Sequence, residues 1–359
     1  MTQENDKIDS LHQQLEAIRA QLTKLLTQKR ESEFYKEQIE FQERLIQEQK
    51  LVIHKLSGGL FRYRIKRFLQ PRLGQLRQYA PQALNIPDQY HANKPFTGTL
   101  PTISIVTPSF NQGAYIERTL QSVLQQNYPN LEYIVQDGAS TDSTTDILKQ
   151  YDSRLKHWES CGDKGQSHAI NLGFRHASGE IMAYLNSDDL LLPGSLHYVG
   201  EYFANHPEVD VVYGHRILIN ENEDEIGRWV LPPHSNKILP WVDYVPQETL
   251  FWRRRIWEKT GAAIDESFRF AMDWDLLLRF QQAQARFTRL PRFLGAFRVH
   301  SQQKTSALIN EVGDEEMHRL RMRSHGRKIY PKEIKKHARF YLLKHFFCQK
   351  LYKLGILNY

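Results

Sequence analysis

Asn186-Ser187-Asp188-Asp189 interrupts an apolar run, with Ile181-Met182-Ala183-Tyr184-Leu185 before it and Leu190-Leu191-Leu192 after it. Adjacent carboxylates repel, and burying either without a partner is costly. Two arrangements resolve the conflict. A divalent cation such as Mg2+ or Mn2+ commonly takes one or two carboxylates completed by phosphate oxygens, and its charge removes the repulsion. Alternatively, the acids form an Asx turn that caps the helix expected after Pro193. The residues alone leave the two readings level.

Other groups could act beside them. FAMDWDLLLRF sets Asp273 and Asp275 in an apolar segment. On a helix they point to different faces. Asp275 and Arg279 stand at i, i+4 and make a natural ion pair. That leaves Asp273 as a candidate general base, whose task needs an acceptor hydroxyl within reach. His300, in FRVHSQQKT, is either structural or a third metal ligand that the fold must bring to Asp188. In QDGASTDST, Asp137 ends an apolar run, Gly138 permits a turn, and Ser140, Thr141 and Asp142 can cap a helix. Together with Pro108-Ser109-Phe110-Asn111-Gln112-Gly113 it could instead form a polar rim around a flat heterocycle.

These groups need a scaffold, and residues 101–213 supply its pattern. β-Branched or apolar runs at 103–107, 131–136, 155–158, 181–185 and 209–213 read as strands. Between them Ile116, Leu120, Val123 and Leu124, then Ile147 and Leu148, then Ile170, Phe174 and Ala177 repeat at helical spacing, and a further helix follows Pro193-Gly194. Repeated βα units predict an α/β fold with a parallel sheet covered on both faces, and ligands bind beyond the carboxyl ends of such strands. The loops at 108–113, 137–142 and 186–189 all fall there.

The flanks differ in character. Residues 1–57 lack Gly and Pro, and Ile8, Leu11, Leu15, Ile18, Leu22 and Leu25 form a heptad seam that weakens beyond Lys29. A coiled coil that makes a homo-oligomer is expected, with a single helix folded back on the protein as the alternative. Residues 58–100 combine a basic amphipathic stretch (Leu60, Phe61, Ile65, Phe68 and Leu69 among arginines) with a Pro-rich linker. The tail from 311 to 359 is basic, helical and rich in aromatics, and reads either as a helix on an anionic membrane surface or as one packed on the core.

Net charge sharpens this division. The chain of 359 residues carries +7 overall, but Gly58–Ala80 contributes +6 and His318–Tyr359 contributes +11, leaving about −10 elsewhere. A basic core for nucleic acid is therefore not expected. Two distant cysteines, Cys161 and Cys348, argue against a disulfide scaffold. The polar N-terminus does not read as a secretory signal, and no apolar run reaches membrane-spanning length.

The ordered set ISIVTPSFNQGAYIERTLQSVLQQNYPNLEYIVQDGASTDST, GEIMAYLNSDDLLLPGSL and MDWDLLLRF resembles family 2 glycosyltransferases across about 101–305. The resemblance implies a GT-A fold over 101–310 and inverting, metal-dependent transfer from a nucleotide-sugar donor, usually a uridine one. It implies that Pro108, Phe110 and Asp137 meet the nucleotide base, with Asn111 a further nucleotide contact. Gly165, Gln166, Asn186 and Ser187 follow as further nucleotide contacts. It makes Asp188 the metal acid for Mn2+ or Mg2+, with His300 and then Asp189 as further ligands, and Asp273 the catalytic base. Asp163, Lys164, Gln247 and Trp274 are implied at the donor sugar or acceptor. Three positions depart from the family pattern: Asn186 replaces the first acid of Asp-x-Asp, Met272 replaces the acid before the base, and His215 stands where Asp is common.

The expected function is sugar transfer to a hydroxyl acceptor, a glycan or lipid-linked oligosaccharide, on the cytoplasmic face of the cell membrane. A non-catalytic coiled-coil scaffold carrying an inactive transferase-like domain is the alternative. An aspartyl phosphohydrolase would need its acids where Thr107-Pro108-Ser109 stands, and a nucleotidyltransferase would need a Gly-rich first loop.

Overall fold

The computed structural model describes residues 12–20, 73–91, 96–300 and 312–359. The chain divides into two compact units, Met1–Gln70 and Pro71–Tyr359. In the first, residues 12–20 are helical, as the heptad seam predicts for them. The rest of the expected coiled coil, and the basic stretch Leu60–Leu69, lie outside the described residues.

The second unit is built on a nine-stranded mixed sheet. Its first half follows the βα pattern: β1 (Ile103–Ser109), α1 (Ile116–Leu124), β2 (Leu131–Asp137), α2 (Thr144–Tyr151), β3 (His157–Ser160), α3 (Gln166–Phe174) and β4 (Ile181–Tyr184). These four strands lie parallel in the order β3-β2-β1-β4. Alternate side chains divide between the faces. Ile103, Ile105 and Val135 meet Leu120 and Val123 of α1 and Leu148 of α2. Val106, Ile134 and Met182 meet Ile170 and Phe174 of α3. Coverage of both faces explains why the strands read as continuous apolar runs.

The second half departs from a parallel sheet. β5 (Leu190–Leu191), α4 (Ser195–Asn205), β6 (Val211–Ile219), β7 (Glu225–Trp229), β8 (Phe251–Arg253), α5 (Arg254–Lys259), α6 (Met272–Gln282) and β9 (Phe287–Arg298) complete the unit. β8 runs antiparallel to both β4 and β6, β9 lies parallel to β6, and β5 pairs antiparallel with β9. β6 extends to Ile219, well past the expected 213.

Two flanking segments are integrated into this unit. Residues 78–82, where the basic stretch meets the Pro-rich stretch expected to be a linker, cover the free edge of β7: Gln78 N–H donates to Ile226 O at 2.8 Å and Gln82 bridges Glu225. Covering that edge satisfies backbone groups that would otherwise attract another strand. Further along the expected linker, Tyr90 is buried and its hydroxyl accepts from Phe293 N–H of β9 at 3.0 Å. The tail forms α7 (Asp314–His325) and α8 (Pro331–Lys353), and Leu320, Ala338, Tyr341 and Gln349 pack inward.

Candidate active site

Because β1 to β4 are parallel, the loops after them share one edge, and the expected rim forms there. Asn111 takes a left-handed backbone (φ 51°), a conformation Asn tolerates, and its side-chain oxygen accepts from Thr141 N–H at 2.9 Å. Asp142 accepts from Gly113 N–H across the rim and from Thr144 N–H at the start of α2. One carboxylate therefore both stitches the two loops and satisfies a helix N-terminus.

The Phe110 ring is 60% exposed, a large apolar side chain left open at the rim. Gly138 lies beneath it, and a Cβ there would come within 2.8 Å of Asp163 Oδ2 and 3.4 Å of Phe110. Asp163 in turn accepts from Gly165 N–H at 2.6 Å. Phe110, Gly138 and Asp163 thus pack together at the rim, and a side chain at 138 would have to displace the Asp163 carboxylate. Asp137 and Pro108 sit deeper. Asp137 is fully buried, and its carboxylate accepts from Ser140 N–H, Ser140 Oγ and Ser160 Oγ at 2.5 to 2.8 Å. Pro108 is a buried residue within β1. Lys164 is exposed on the loop between Asp163 and Gly165.

Past β4, the NSDD turn is held from three sides. Thr119 Oγ1 lies 2.9 Å from Ser187 O and 2.8 Å from Asp189 O, Arg298 Nε donates to Asp188 O at 2.8 Å, and Arg298 N–H donates to Asp189 Oδ1 at 2.9 Å. The two acids therefore differ. Asp189 is 1% exposed and spends its carboxylate on that turn, and burial pushes its carboxyl well up, with Asp188 adding to the effect. Asp188 keeps an accessible side chain and places Oδ2 3.0 Å from His300 Nε2. Register explains the meeting across sequence: β5 pairs Leu190 with Ala296, which carries the chain from Arg298 to His300 past the turn.

The Asp188–His300 pair suits a divalent cation. The 3.0 Å contact is itself a hydrogen bond, and it holds Asp188 Oδ2 and His300 Nε2 side by side, where a cation would meet both. His300 is buried and its other ring nitrogen has no hydrogen-bond partner. No group of three or more His, Cys, Asp or Glu able to hold a metal occurs among the described residues. A cation held by this pair alone would take its remaining ligands from phosphate oxygens and water, the usual habit of Mg2+ and Mn2+.

Asn186 is built into an amide chain. Gln166 Nε2 donates to Asn186 Oδ1 at 2.6 Å, Asn186 Nδ2 donates to Gln247 Oε1 at 3.2 Å, and Gln247 Nε2 donates to Tyr184 O at 2.7 Å. Asn186 both accepts and donates, which a carboxylate cannot do.

Asp273 begins α6, half-buried, with Oδ1 accepting from Trp274 N–H at 2.8 Å. Burial raises its carboxyl to about 6, against the opposing pull of the backbone N–H groups and of Arg216. Its surroundings contain groups that sequence reasoning missed. Asp243 keeps an accessible carboxylate while dense protein surrounds it, and burial and Asp273 hold its carboxyl well above the usual range. Arg216 lies behind these acids, buried and paired with Glu248 through Nε to Oε1 at 2.8 Å. Burial pushes the Tyr184 hydroxyl upward, and the charges of Asp273, Asp243 and Asp189, all within electrostatic reach of the end of β4, add to it. Glu316 of α7 accepts from the N–H groups of Arg269, Phe270 and Ala271 at 2.7 to 2.9 Å, fixing the loop that leads into Asp273. Arg216, Asp243 and Glu316 carry no local motif, and only tertiary packing brings them here.

One expectation around the site changes, and one departure from the family pattern is explained. Trp274 does not face the cleft. It is fully buried with Nε1 donating to Leu239 O at 2.9 Å, because one residue along a helix turns the side chain about 100° away from Asp273. His215 is also fully buried, accepts from Leu231 N–H, and is kept neutral by burial well below the usual imidazole range. Asp275 pairs with Arg279 at 2.8 Å as its spacing predicts, and also with Arg323 of α7.

The family model for glycosyl transferase family 2 matches residues 104–261. An uncharacterized glycosyltransferase of Mycobacterium tuberculosis is 30% identical over 181 residues, which cover 50% of this chain and 68% of that protein. The chain is a family 2 glycosyltransferase. The fold agrees. A UDP-GlcNAc complex of S. aureus TarS 1-349 superposes with a TM-score of 0.52 at 19% identity, over 68% of this chain and 73% of that one. The mannosyltransferase PcManGT of Pyrobaculum calidifontis, in complex with GDP-Man and Mn2+, superposes with a TM-score of 0.51 at 18% identity, over 80% and 76%. The glycosyltransferase spans only 38% and 40% of the length of two other curated relatives it matches.

Proposed function

We propose that this glycosyltransferase moves a sugar from a nucleoside diphosphate, a UDP-sugar, to a hydroxyl acceptor with inversion at the anomeric carbon. The observation that carries the reading is that helix α3 ties the turn bearing the Asp188–His300 pair to the start of α6, with Gln166 bonded to Asn186 and Ser167 Oγ 2.9 Å from Met272 Sδ, next to Asp273, a carboxylate whose affinity for protons is raised to about 6. A base near that value is unprotonated at neutral pH and still able to take a proton.

On this reading the base stacks at Phe110 over Gly138, with Asp163 beside it, and Asp137 holds that rim from beneath. Gln166, Asn186 and Gln247 present amide groups to ribose or sugar hydroxyls. Asp188 and His300 would hold Mn2+ or Mg2+, which when bound offsets charge on the diphosphate. TarS complexed with UDP-GlcNAc and PcManGT complexed with GDP-Man and Mn2+ have the same fold and agree with this assignment. Asp273 accepts the proton of the acceptor hydroxyl as its oxygen bonds to the anomeric carbon. The bond to the diphosphate breaks with its electrons going to the leaving oxygen. One displacement with one base needs no covalent intermediate and inverts the centre.

The acceptor is a glycan or lipid-linked glycan assembled at the cytoplasmic membrane face, and residues 1–57 hold subunits together. The scaffold alternative is not favoured, since Asn186 is part of an ordered amide chain and not a degenerate ligand. A thermal-shift screen tests the donor assignment. UDP-GlcNAc, UDP-glucose and GDP-mannose are each added with Mn2+. A UDP-sugar should raise the melting temperature, and a chelator should abolish the rise. Equal shifts with and without chelator would remove the metal from the reading.

A further inference from the structure

Helix α8 packs on the domain with one face and carries an exposed apolar row on the opposite one. Tyr341, His345 and Gln349 face the domain, and Gln349 clamps β7 by accepting from Val230 N–H at 3.2 Å and donating to Arg228 O at 3.0 Å. Phe340, Leu343, Phe347 and Leu351 point the other way, exposed by 74%, 44%, 60% and 36%, and Leu354 and Ile356 extend the row at 72% and 63%. Spacings of three and four residues put the helical members within about 80° of arc, opposite the packed face. Nothing in fold stability calls for an exposed apolar row on a helix already anchored by its opposite face.

The charges beside the row select its occupant. On the same helical projection Arg339 and Lys350 lie on one side of the row and Lys344 on the other, each within about 80° of its centre. The helix contains a single acid, Glu333, which is paired with Arg327. A second copy of α8 would bring cations against cations with no carboxylate to answer them. An anionic bilayer supplies both complements: headgroup charge for the cations and acyl chains for the rings. Among the described residues no helix is long and apolar enough to cross a membrane, so the contact is an in-plane one.

We infer that α8 is a membrane-docking helix that lies in the interface of an anionic bilayer with Phe340, Leu343, Phe347 and Leu351 inserted. The inference deepens the proposed membrane location but stands on the helix alone and does not depend on the donor or the acceptor. The test is flotation of the full chain with phosphatidylcholine vesicles, with and without phosphatidylglycerol. The wild type should float with the anionic vesicles and be released by salt. Phe340→Ser/Phe347→Ser should cut partitioning by about tenfold or more, with unchanged circular dichroism and melting temperature because both side chains are exposed. Arg339→Glu/Lys344→Glu should also lose binding, through charge. Residues 58–72 are present in every protein, so the differences report on α8. Variants that float like the wild type, a wild type that ignores both vesicles, or a Phe variant that changes only the mass measured by light scattering would each overturn the proposal.

Discussion

At the scale of single residues, the chemistry rests on how differently the fold treats similar groups. Asp188 and Asp189 are neighbours, yet one faces the cleft beside His300 and the other holds the turn through Arg298 N–H. Asp273 pays for its poise in stability. Its folded value of about 6 exceeds the ordinary 3.8, so the protonated form favours folding below the ordinary value and that contribution is lost as pH rises through 6. Asp273→Asn mimics the protonated acid. It should stabilise the protein at pH 8 by about 1–2 kcal/mol and by nothing near pH 4, a difference that urea melts at the two pH values would expose. Asn186→Asp should not restore a stronger site. The new carboxylate cannot donate to Gln247 and adds charge beside Asp188 and Asp189, so affinity for a UDP-sugar should fall by about tenfold; titration calorimetry in Mn2+ would contradict this if binding tightened. The residue motifs were legible because each combines a turn-former with a carboxylate at a strand end. Which side chains face outward was not: Asp137, Pro108 and Trp274 were expected at the ligand, and all three are buried.

At the scale of elements, strand register and helix packing do the positioning. The parallel set β1 to β4 was readable from periodicity because each strand is an apolar run and each helix repeats at three and four residues. The antiparallel β8 and the long β6–β9 pair were not, since a three-residue strand such as Phe251–Arg253 has no periodicity to read. That half of the sheet nevertheless delivers His300 to Asp188. His300→Ala should leave folding intact and weaken Mn2+-dependent UDP binding by about tenfold to a hundredfold. Unchanged metal dependence would return His300 to a structural role. The entry to α6 depends on Glu316 in the same way. Glu316→Ala strands three backbone N–H groups, so it should cost about 3 kcal/mol of stability. Because the loop before Asp273 then loosens, it should lower kcat more than it raises KM; a pure loss of stability with normal kcat would make Glu316 structural only.

At the scale of the whole molecule, charge and apolar surface are distributed by task. The stretches Gly58–Ala80 and His318–Tyr359 carry net charges of +6 and +11, and the remainder carries about −10. The tail expected either on a membrane or on the core does the second with one face, and its other face is open for the first. It is also mechanically linked to the active site, since Glu316 and Arg323 of α7 hold both ends of the MDWD segment. The heptad seam predicts that deleting residues 1–57 lowers the mass in light scattering to that of a monomer and leaves UDP binding intact; an unchanged mass would remove the coiled coil from the assembly. The central claim is that Asp273 is the base in a metal-assisted transfer from a nucleotide sugar. The most direct measurement is the rate of UDP release from a UDP-sugar in Mn2+, for wild type and Asp273→Asn, from about pH 5 to 8. The account predicts a wild-type rate that falls as pH drops through about 6. Asp273→Asn should be at least about a hundredfold slower, with equal affinity for UDP. A variant that releases UDP at the wild-type rate with the same pH profile would contradict it.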